Sequence, residues 1–484
     1  MKEKIIFQKS QKGRFTDYVT NPQISIFPPS HFIPQKLLRE DLNLPSLGEG
    51  EVVRHYTNLS RLNYCVDTNF YPLGSCTMKY NPKVNEDLAN LEEFLHIHPY
   101  QKEEDIQGTL ELLYNLEKLL CEITGMERFS FQPSAGAHGE LTGMLIVKAF
   151  HSLKREKRFK VIIPDSSHGT NPATASMCGY QVVVVESTKE GLVDIDKLRK
   201  LMDSSTAGIM LTCPNTLGIF EEKILDIREI VHRQGGLLYY DGANFNALLG
   251  ITKPSLMGFD IVHLNLHKTF STPHGSGGPG AGAVGVRKDL VPFLPVPLVD
   301  KKNDYYYLNY DLKHSIGKVR SFYGNFPVLV KTYAYLLRLG KEGLVRVAHN
   351  SVLNANYIRE KLRDNYQLAS SKRCMHEVVF SCKDKKEEYG VTALDIAKRL
   401  LDYGIHPPTM YFPLVVKEAL MIEPTETESK ETLDYFIEVM KRIDQEAKTK
   451  PSVLKDAPHT TFTKRVDEVS AARNPVLKWE EYGE

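Results

Sequence analysis

The chain has 484 residues, enough for a large core and more than one folded region. Its 61 Lys and Arg against 60 Asp and Glu leave a formal net charge of +1, which removes the electrostatic footprint of a nucleic-acid binder. A hydrophobic content of 42%, with no apolar run long enough to span a bilayer, argues for a globular chain that makes no use of a membrane.

The first stretch, residues 1–64, has no strong period. Pro22, Pro28, Pro29, Pro34 and Pro45 punctuate it, with Ile24, Ile26, Phe27, Phe32 and Ile33 between. Such an arm builds no core of its own and is expected to wrap over something else. The turn-rich YPLGSCTMKYNP follows at Tyr71–Pro82; no motif pairs its Cys76 with a base, so that thiol reads as a small packed residue. Leucines at helical spacing predict a helix over 108–124, and a second one over 140–153. Between them lies FQPSAGAHG. Small residues at a helix N-terminus present N–H groups to an anion, so Ser134, Ala135 and Gly136 are a candidate phosphate cup, although a plain capping turn reads the same way.

Next come strands over 160–164, 181–186 (QVVVVE, a second buried strand), 208–212 and 236–240, with a helix over 224–234. This alternation predicts an α/β chain with a mostly parallel sheet. Its last strand, within IVHLNLHKTFSTPHGSGGPGAGAVGV, delivers His267 and Lys268 into a glycine-rich loop. Gly275 to Gly280 matches G-x-G-x-x-G, but Pro279 interrupts it and a strand, not a helix, follows, so a dinucleotide site is excluded. After Pro297 the chain is tyrosine-rich. A long helix over 328–363 with a break near Gly340 or Gly343, a strand over 378–381, and helices over 393–403 and 433–446 predict a smaller α+β domain. The expected division is an arm at 1–64, a large domain at 65–300, a connecting segment at 301–338, a small C-terminal domain at 339–450 and a tail at 451–484.

His168, Thr212, Asp241 and Lys268 all fall at or just past strand ends, where open α/β sheets carry their sites. A lysine there either snorkels to water or, desolvated, attacks a carbonyl to form a Schiff base. Asp241 precedes it on the neighbouring strand end, where a buried carboxylate could hydrogen-bond a pyridine nitrogen and keep it protonated. Ala243 leaves room for a ring against the backbone, His168 could stack on that ring, and His267 could bond a phosphate. Phosphate cup, aspartate and lysine in this order point to a pyridoxal-phosphate enzyme. The seven cysteines (Cys65, Cys76, Cys121, Cys178, Cys213, Cys374, Cys382) are scattered without a C-x-x-C pair, which excludes a disulfide framework or zinc site. No metal is expected. Met1–Ser10 lacks the apolar core of a signal peptide, so a cytoplasmic location is expected.

The motifs PLGSCTMKYNP, FQPSAGAHGE, SSHGTNPATASM, YYDGANFNAL and LNLHKTF…PHGSGGPG resemble the C-terminal half of glycine dehydrogenase (decarboxylating), the P-protein of the glycine cleavage system. HPPTMYFPLVVKEALMIEPTETESKETLD and APHTTFTKRVDEVSAARNPVLKW extend the resemblance over nearly the whole chain from about residue 50. It implies a fold-type I pyridoxal-phosphate-dependent transferase fold with a smaller C-terminal α+β domain, and the split form of the family, in which a separately encoded subunit 1 is required, two of each subunit. It also implies glycine decarboxylation with release of CO2 and transfer of the aminomethyl group to the lipoyl arm of the H-protein. Lys268 would be the Schiff-base residue, Asp241 the pyridine partner and His168 the stacking group. Another fold-type I enzyme, an amino-acid decarboxylase or cysteine desulfurase, is the alternative; a desulfurase would need a mobile cysteine after the lysine, and only Cys374 and Cys382 are candidates. An inactive scaffold would be expected to lack Lys268 or Asp241, and both are present.

Overall fold

Seven strands make the central sheet: β1 (Arg128–Ser130), β2 (Lys160–Pro164), β3 (Gln181–Val185), β4 (Thr206–Thr212), β5 (Leu237–Gly242), β6 (Ile261–Asn265) and β7 (Gly282–Val286), in the order β1-β7-β6-β5-β4-β2-β3. Strands β3, β2, β4, β5 and β6 run parallel, and β7 returns antiparallel to β6 and carries β1 antiparallel at its far side. The computed structural model describes residues 4–16, 24–39, 42, 44–274 and 280–477; Pro22 and the glycine-rich stretch Gly275–Pro279 lie outside them.

Residues of β5 and β6 are buried without exception, because helices cover both faces of a parallel sheet and leave no polar side to alternate with. Helix α1 (Gln107–Thr124) packs on β1, and α2 (Gly136–Leu153) lies across β6 and β7. Further along come α3 (Thr170–Met177) and α4 (Ile224–Arg233). Two expectations need correction. The QVVVV run is not a buried strand: β3 pairs only with β2, as the sheet's edge, and Val184 is 54% exposed. Helix α2 begins at Gly136, four residues earlier than its leucine pattern suggested, because small residues are compatible with a first turn pressed against the sheet.

A tyrosine-bearing hairpin, β8 (Leu298–Lys302) and β9 (Tyr305–Asn309), precedes the long helix α5 (Phe326–Leu362). The helix breaks at Gly340, whose φ of 58° and ψ of −174° are outside the helical range. A second, antiparallel sheet follows: β10 (Gln367–Leu368), β11 (Val378–Ser381), β12 (Thr409–Met410) and β13 (Ala419–Ile422), ordered β10-β11-β13-β12. Val378, Phe380, Leu420 and Ile422 point from it into a core shared with α6 (Ala393–Leu401) and α7 (Lys430–Thr449), through Ile396, Leu400, Phe436 and Met440.

That core also encloses an ion pair. Lys385 and Asp444 are 1% and 2% exposed; the ammonium bonds Asp444 and the Asn365 carbonyl and lies 4.5 Å from the Tyr366 ring centroid. Asp444→Ala strands a buried cation, and should lower the unfolding free energy by about 3–5 kcal/mol in denaturant titration.

The chain divides into two units, Met1–Cys65 with Ala457–Glu484, and Val66–Asp456. In the first, a helix at Glu49–Ser60 is tied by Arg14 to Glu51 at 2.6 Å, while Ile24, Ile26, Phe27 and Phe32 stay exposed. No helix among the described residues is long and apolar enough to cross a membrane. No disulfide joins any of the seven cysteines.

Candidate active site

Lys268 sits in a turn directly after β6, its N–H donating to Asn265 O at 3.1 Å. The side chain is 7% exposed and its Nζ donates to Ser75 O at 2.6 Å. Ser75 belongs to a strap, residues 71–79, that Leu73 fastens to Ile422 at the end of β13. Ser75 and Thr77 hold left-handed φ angles of 63° and 53°, the kind of backbone strain that a surrounding structure must enforce. Gly74 makes the close approach possible: a Cβ there would stand 2.2 Å from Met421 Cγ and 2.6 Å from Met421 O. Cys76, beside Lys268, has its thiol pushed up by burial with the lysine opposing.

On the neighbouring strand end, Asp241 is fully buried. Its Oδ1 accepts the Ala243 N–H at 3.0 Å, and Oδ2 accepts Asn171 Nδ2 at 2.9 Å and Thr212 Oγ1 at 3.5 Å. His263 Nε2 lies 3.4 Å from Oδ1, and Nδ1 of that ring meets the Tyr239 hydroxyl at 2.7 Å. Burial acts to raise the Asp241 pKa, but the His263 and His168 rings, the Ala243 N–H and the Asn171 amide outweigh it and hold the carboxyl below its usual value. His263 is itself pushed down to about 4 by burial, so near neutral pH it faces Asp241 as an uncharged ring and the amide donors carry most of that stabilisation. Glu140, on α2, is raised to about 7 by burial and by the Asp241 charge. Of these two carboxyls Asp241 keeps the charge, and Glu140 is the one that is partly protonated near neutral pH.

His168 is half-buried between the two key groups, its pKa lowered by burial and by Lys268 while Asp241 opposes. Its N–H donates to Thr212 Oγ1 at 3.2 Å, and its Nδ1 meets Thr170 Oγ1 at 3.1 Å. Thr212 and Ala243 are thus spent on holding Asp241 and His168. Ala135, in extended conformation, is the N-cap of α2, and no side chain caps that first turn. Ser134 bonds His138 Nδ1 instead, at 3.1 Å. A Cβ on Gly136 would stand 2.2 Å from Asn265 Oδ1, so the helix start is pressed onto the end of β6. His267 Nδ1 contacts the Ala281 backbone at 3.2 Å; burial pushes that ring down to about 3, so it is neutral.

Lys268, Asp241, His168, Thr212 and Ala243 therefore meet at the carboxyl ends of β2, β4, β5 and β6, and the uncapped start of α2 abuts β6. Sequence reasoning missed Glu140, His263, His274, His376, Glu377 and Glu423. The one usable signal was a histidine inside the apolar run of β6.

A buried amine, a buried carboxylate on the adjacent strand and free N–H groups at a helix start fit the aldehyde, ring nitrogen and phosphate of pyridoxal phosphate, and with this strand order define a fold-type I pyridoxal-phosphate enzyme. Residues 29–307 match the family model for the glycine cleavage system P-protein, and 347–460 that for the glycine dehydrogenase C-terminal domain. The chain is 57% identical to the probable glycine dehydrogenase (decarboxylating) subunit 2 of Caldanaerobacter subterraneus subsp. tengcongensis, covering 98% of each chain. It belongs to the glycine dehydrogenase (decarboxylating) subunit 2 family. Among solved structures, the inhibitor-bound glycine decarboxylase (P-protein) of the glycine cleavage system superposes with a TM-score of 0.73 at 20% identity, over 85% of this chain and 94% of that one. Lactobacillus brevis glutamate decarboxylase gives 0.66 at 14% identity, over 85% and 96%.

Gly74→Ala should force the strap off Met421 and loosen its hold on Lys268. Overpacking of about 1–3 kcal/mol should appear as roughly tenfold or more weaker cofactor retention in dialysis, with the fold kept.

Proposed function

We propose that this chain decarboxylates glycine with pyridoxal phosphate, releases CO2 and passes the aminomethyl group to the lipoyl arm of an H-protein, working in the cytoplasm with subunit 1, two copies of each. The observation that carries this reading is the burial of Lys268 and Asp241 on adjacent strand ends. The relatives' name as second subunits supports a first.

Bound pyridoxal phosphate supplies an electron sink for the pair left on the glycine α-carbon when the carboxylate departs. Lys268 Nζ provides the covalent tether and, when displaced, a base within the closed site. Asp241, kept ionised, holds a proton on the ring nitrogen through Oδ1 or Oδ2, while Ala243 N–H, Asn171 and Thr212 fix its orientation. His168 offers a flat face against the ring. Phosphate would lie at the start of α2, on the Ala135 and Gly136 N–H groups and the Ser134 hydroxyl, since the Ser134 N–H is given to His138 Nδ1, with His267 beside it. Burial by the strap excludes water from Lys268.

A desulfurase reading is disfavoured. Cys374 and Cys382 are 4% and 0% exposed, with thiols pushed up by burial, Cys374 to about 12, so neither is a mobile nucleophile. The test is exchange of labelled bicarbonate into the carboxyl of glycine, with this chain alone and then with subunit 1 and lipoylated H-protein. Exchange only with the partners supports the whole reading. Full activity of the lone chain would remove the subunit requirement, and no exchange under any condition would move the chemistry to another substrate.

A further inference from the structure

A second pair of buried acids faces Lys268 from the other sheet, and the mechanism above gives it no task. The register of β11 and β13 pairs Val378 with Ile422, so Glu377 and Glu423, one residue beyond, finish side by side. They are 3% and 0% exposed, and an oxygen of each lies with a His376 nitrogen inside a cluster whose atoms are all within 4.8 Å of one another. Their hydrogen bonds differ. Glu423 accepts Thr77 N at 2.9 Å, Thr77 Oγ1 at 2.7 Å and Asn244 Nδ2 at 2.6 Å, three donors that favour a carboxylate. Among the described residues Glu377 accepts only Ser75 N, at 2.8 Å through Oε2, while its Oε1 stands 3.8 Å from His376 Nε2.

Two carboxyls this close and this dry do not both ionise cheaply. Burial and the Glu423 charge push Glu377 well above its usual range; burial raises Glu423 too, against Thr77, Lys268 and Asn244. His376 is no cation here, since burial and Lys268 drive it down to about 3. A divalent metal on the cluster would have to sit against the Lys268 charge. The remaining titratable neighbours are Cys76 on the strap, and His168, His263, His267 and His274 around the lysine.

We propose that Glu377 is a neutral carboxylic acid and Glu423 a carboxylate, and that the pair is a one-proton store for the Lys268 amine. This rests on Lys268 being the cofactor lysine. When Lys268 is displaced as a free amine, its Nζ leaves Ser75 O and swings to Glu377, and its lone pair takes that acid's proton. The O–H bond breaks, an N–H bond forms, and carboxylic acid plus amine become carboxylate plus ammonium with the total charge unchanged; return of the lysine reverses the transfer. The Ser75 backbone spans both ends, its carbonyl on Lys268 Nζ and its N–H on Glu377. Both acids act through the lysine, as positioning and proton-holding residues, without touching substrate.

The test is the pH titration of the visible absorbance of lysine-bound cofactor in the holoenzyme. Glu377→Gln exchanges a neutral acid for a neutral amide, so the midpoint should stay within about 0.3 unit of wild type, whereas Glu377→Gln with Glu423→Gln removes the negative charge of this pair, leaving that of Asp241, and should lower it by about one unit or more. A single Glu377→Gln that falls as far as the double variant overturns the proposal, as does a double variant that titrates like wild type. Infrared spectra of the cofactor-free protein decide the matter independently, and still decide it if Glu423 variants do not fold. In the difference spectrum of wild type minus Glu377→Gln, which cancels the bands of other protonated carboxyls such as Glu140, a deuterium-sensitive carboxylic-acid stretch should remain near neutral pH; its absence overturns the assignment. Failure of wild type to form the cofactor band would instead sink the role of Lys268, leaving the infrared result to judge the acids.

Discussion

Lys268→Ala is expected to abolish glycine decarboxylation, by about 10³-fold or more, or roughly 4 kcal/mol of lost barrier reduction, while the chain stays folded. The side chain is bonded to the strap at Ser75 O, so its loss removes both the covalent tether and a hydrogen bond in a dry place. Leaving the Ser75 carbonyl unsatisfied should cost about 1–3 kcal/mol of stability, enough to shift a melting curve without collapsing the fold. The measurement is bicarbonate exchange with both partners present, alongside cofactor absorbance and circular dichroism. Exchange near the wild-type level would mean that Lys268 is not the reactive amine.

Asp241→Asn separates binding from turnover. The variant should retain cofactor yet lose about 10²–10³-fold in rate, because an amide cannot stabilise a protonated ring nitrogen as the developing charge requires. One amide edge must also face Asn171 Nδ2 or the Ala243 N–H, both donors, so the asparagine is held by fewer bonds than the carboxylate. A collateral effect gives an internal control. With the Asp241 charge gone, the Glu140 carboxyl should titrate below its present value of about 7, since that charge is one of the two causes that raise it. Unchanged turnover in the variant would remove Asp241 from the mechanism.

Much of the large sheet was legible because its strands are short apolar runs with a chemical residue at each end. Asp241 and Lys268 follow β-prone stretches, and a charge in that place is visible without coordinates. Helix α5 was equally plain, since a leucine pattern is a local signal, and of the two glycines offered for its break, Gly340 and Gly343, it is Gly340 that leaves the helical range. Edge and centre are not local. QVVVV is as apolar as a central strand, and only the pairing of β3 with a single neighbour exposes it. The acids around Lys268 were hidden for the same reason. Glu377 opens one apolar strand and Glu423 closes another, places that suggest a solvated strand end, and only the antiparallel register of β11 and β13 brings them side by side. Glu140 carries no local mark of burial, and only the packing of α2 against the sheet encloses it.

The strap has a consequence for how this protein becomes competent. Ser75 meets Lys268 across 193 positions and Glu377 across 302, and Thr77 meets Glu423 across 346. Closing such loops is slow, so the parallel sheet can form on a growing or refolding chain well before its reactive pocket does. Polypeptide emerging from a ribosome would hold Asp241 and Lys268 in place with no wall over the lysine until the second sheet has been made. In refolding experiments, far-ultraviolet dichroism should recover ahead of cofactor capture, and the interval between them is a clock for the seating of residues 71–79.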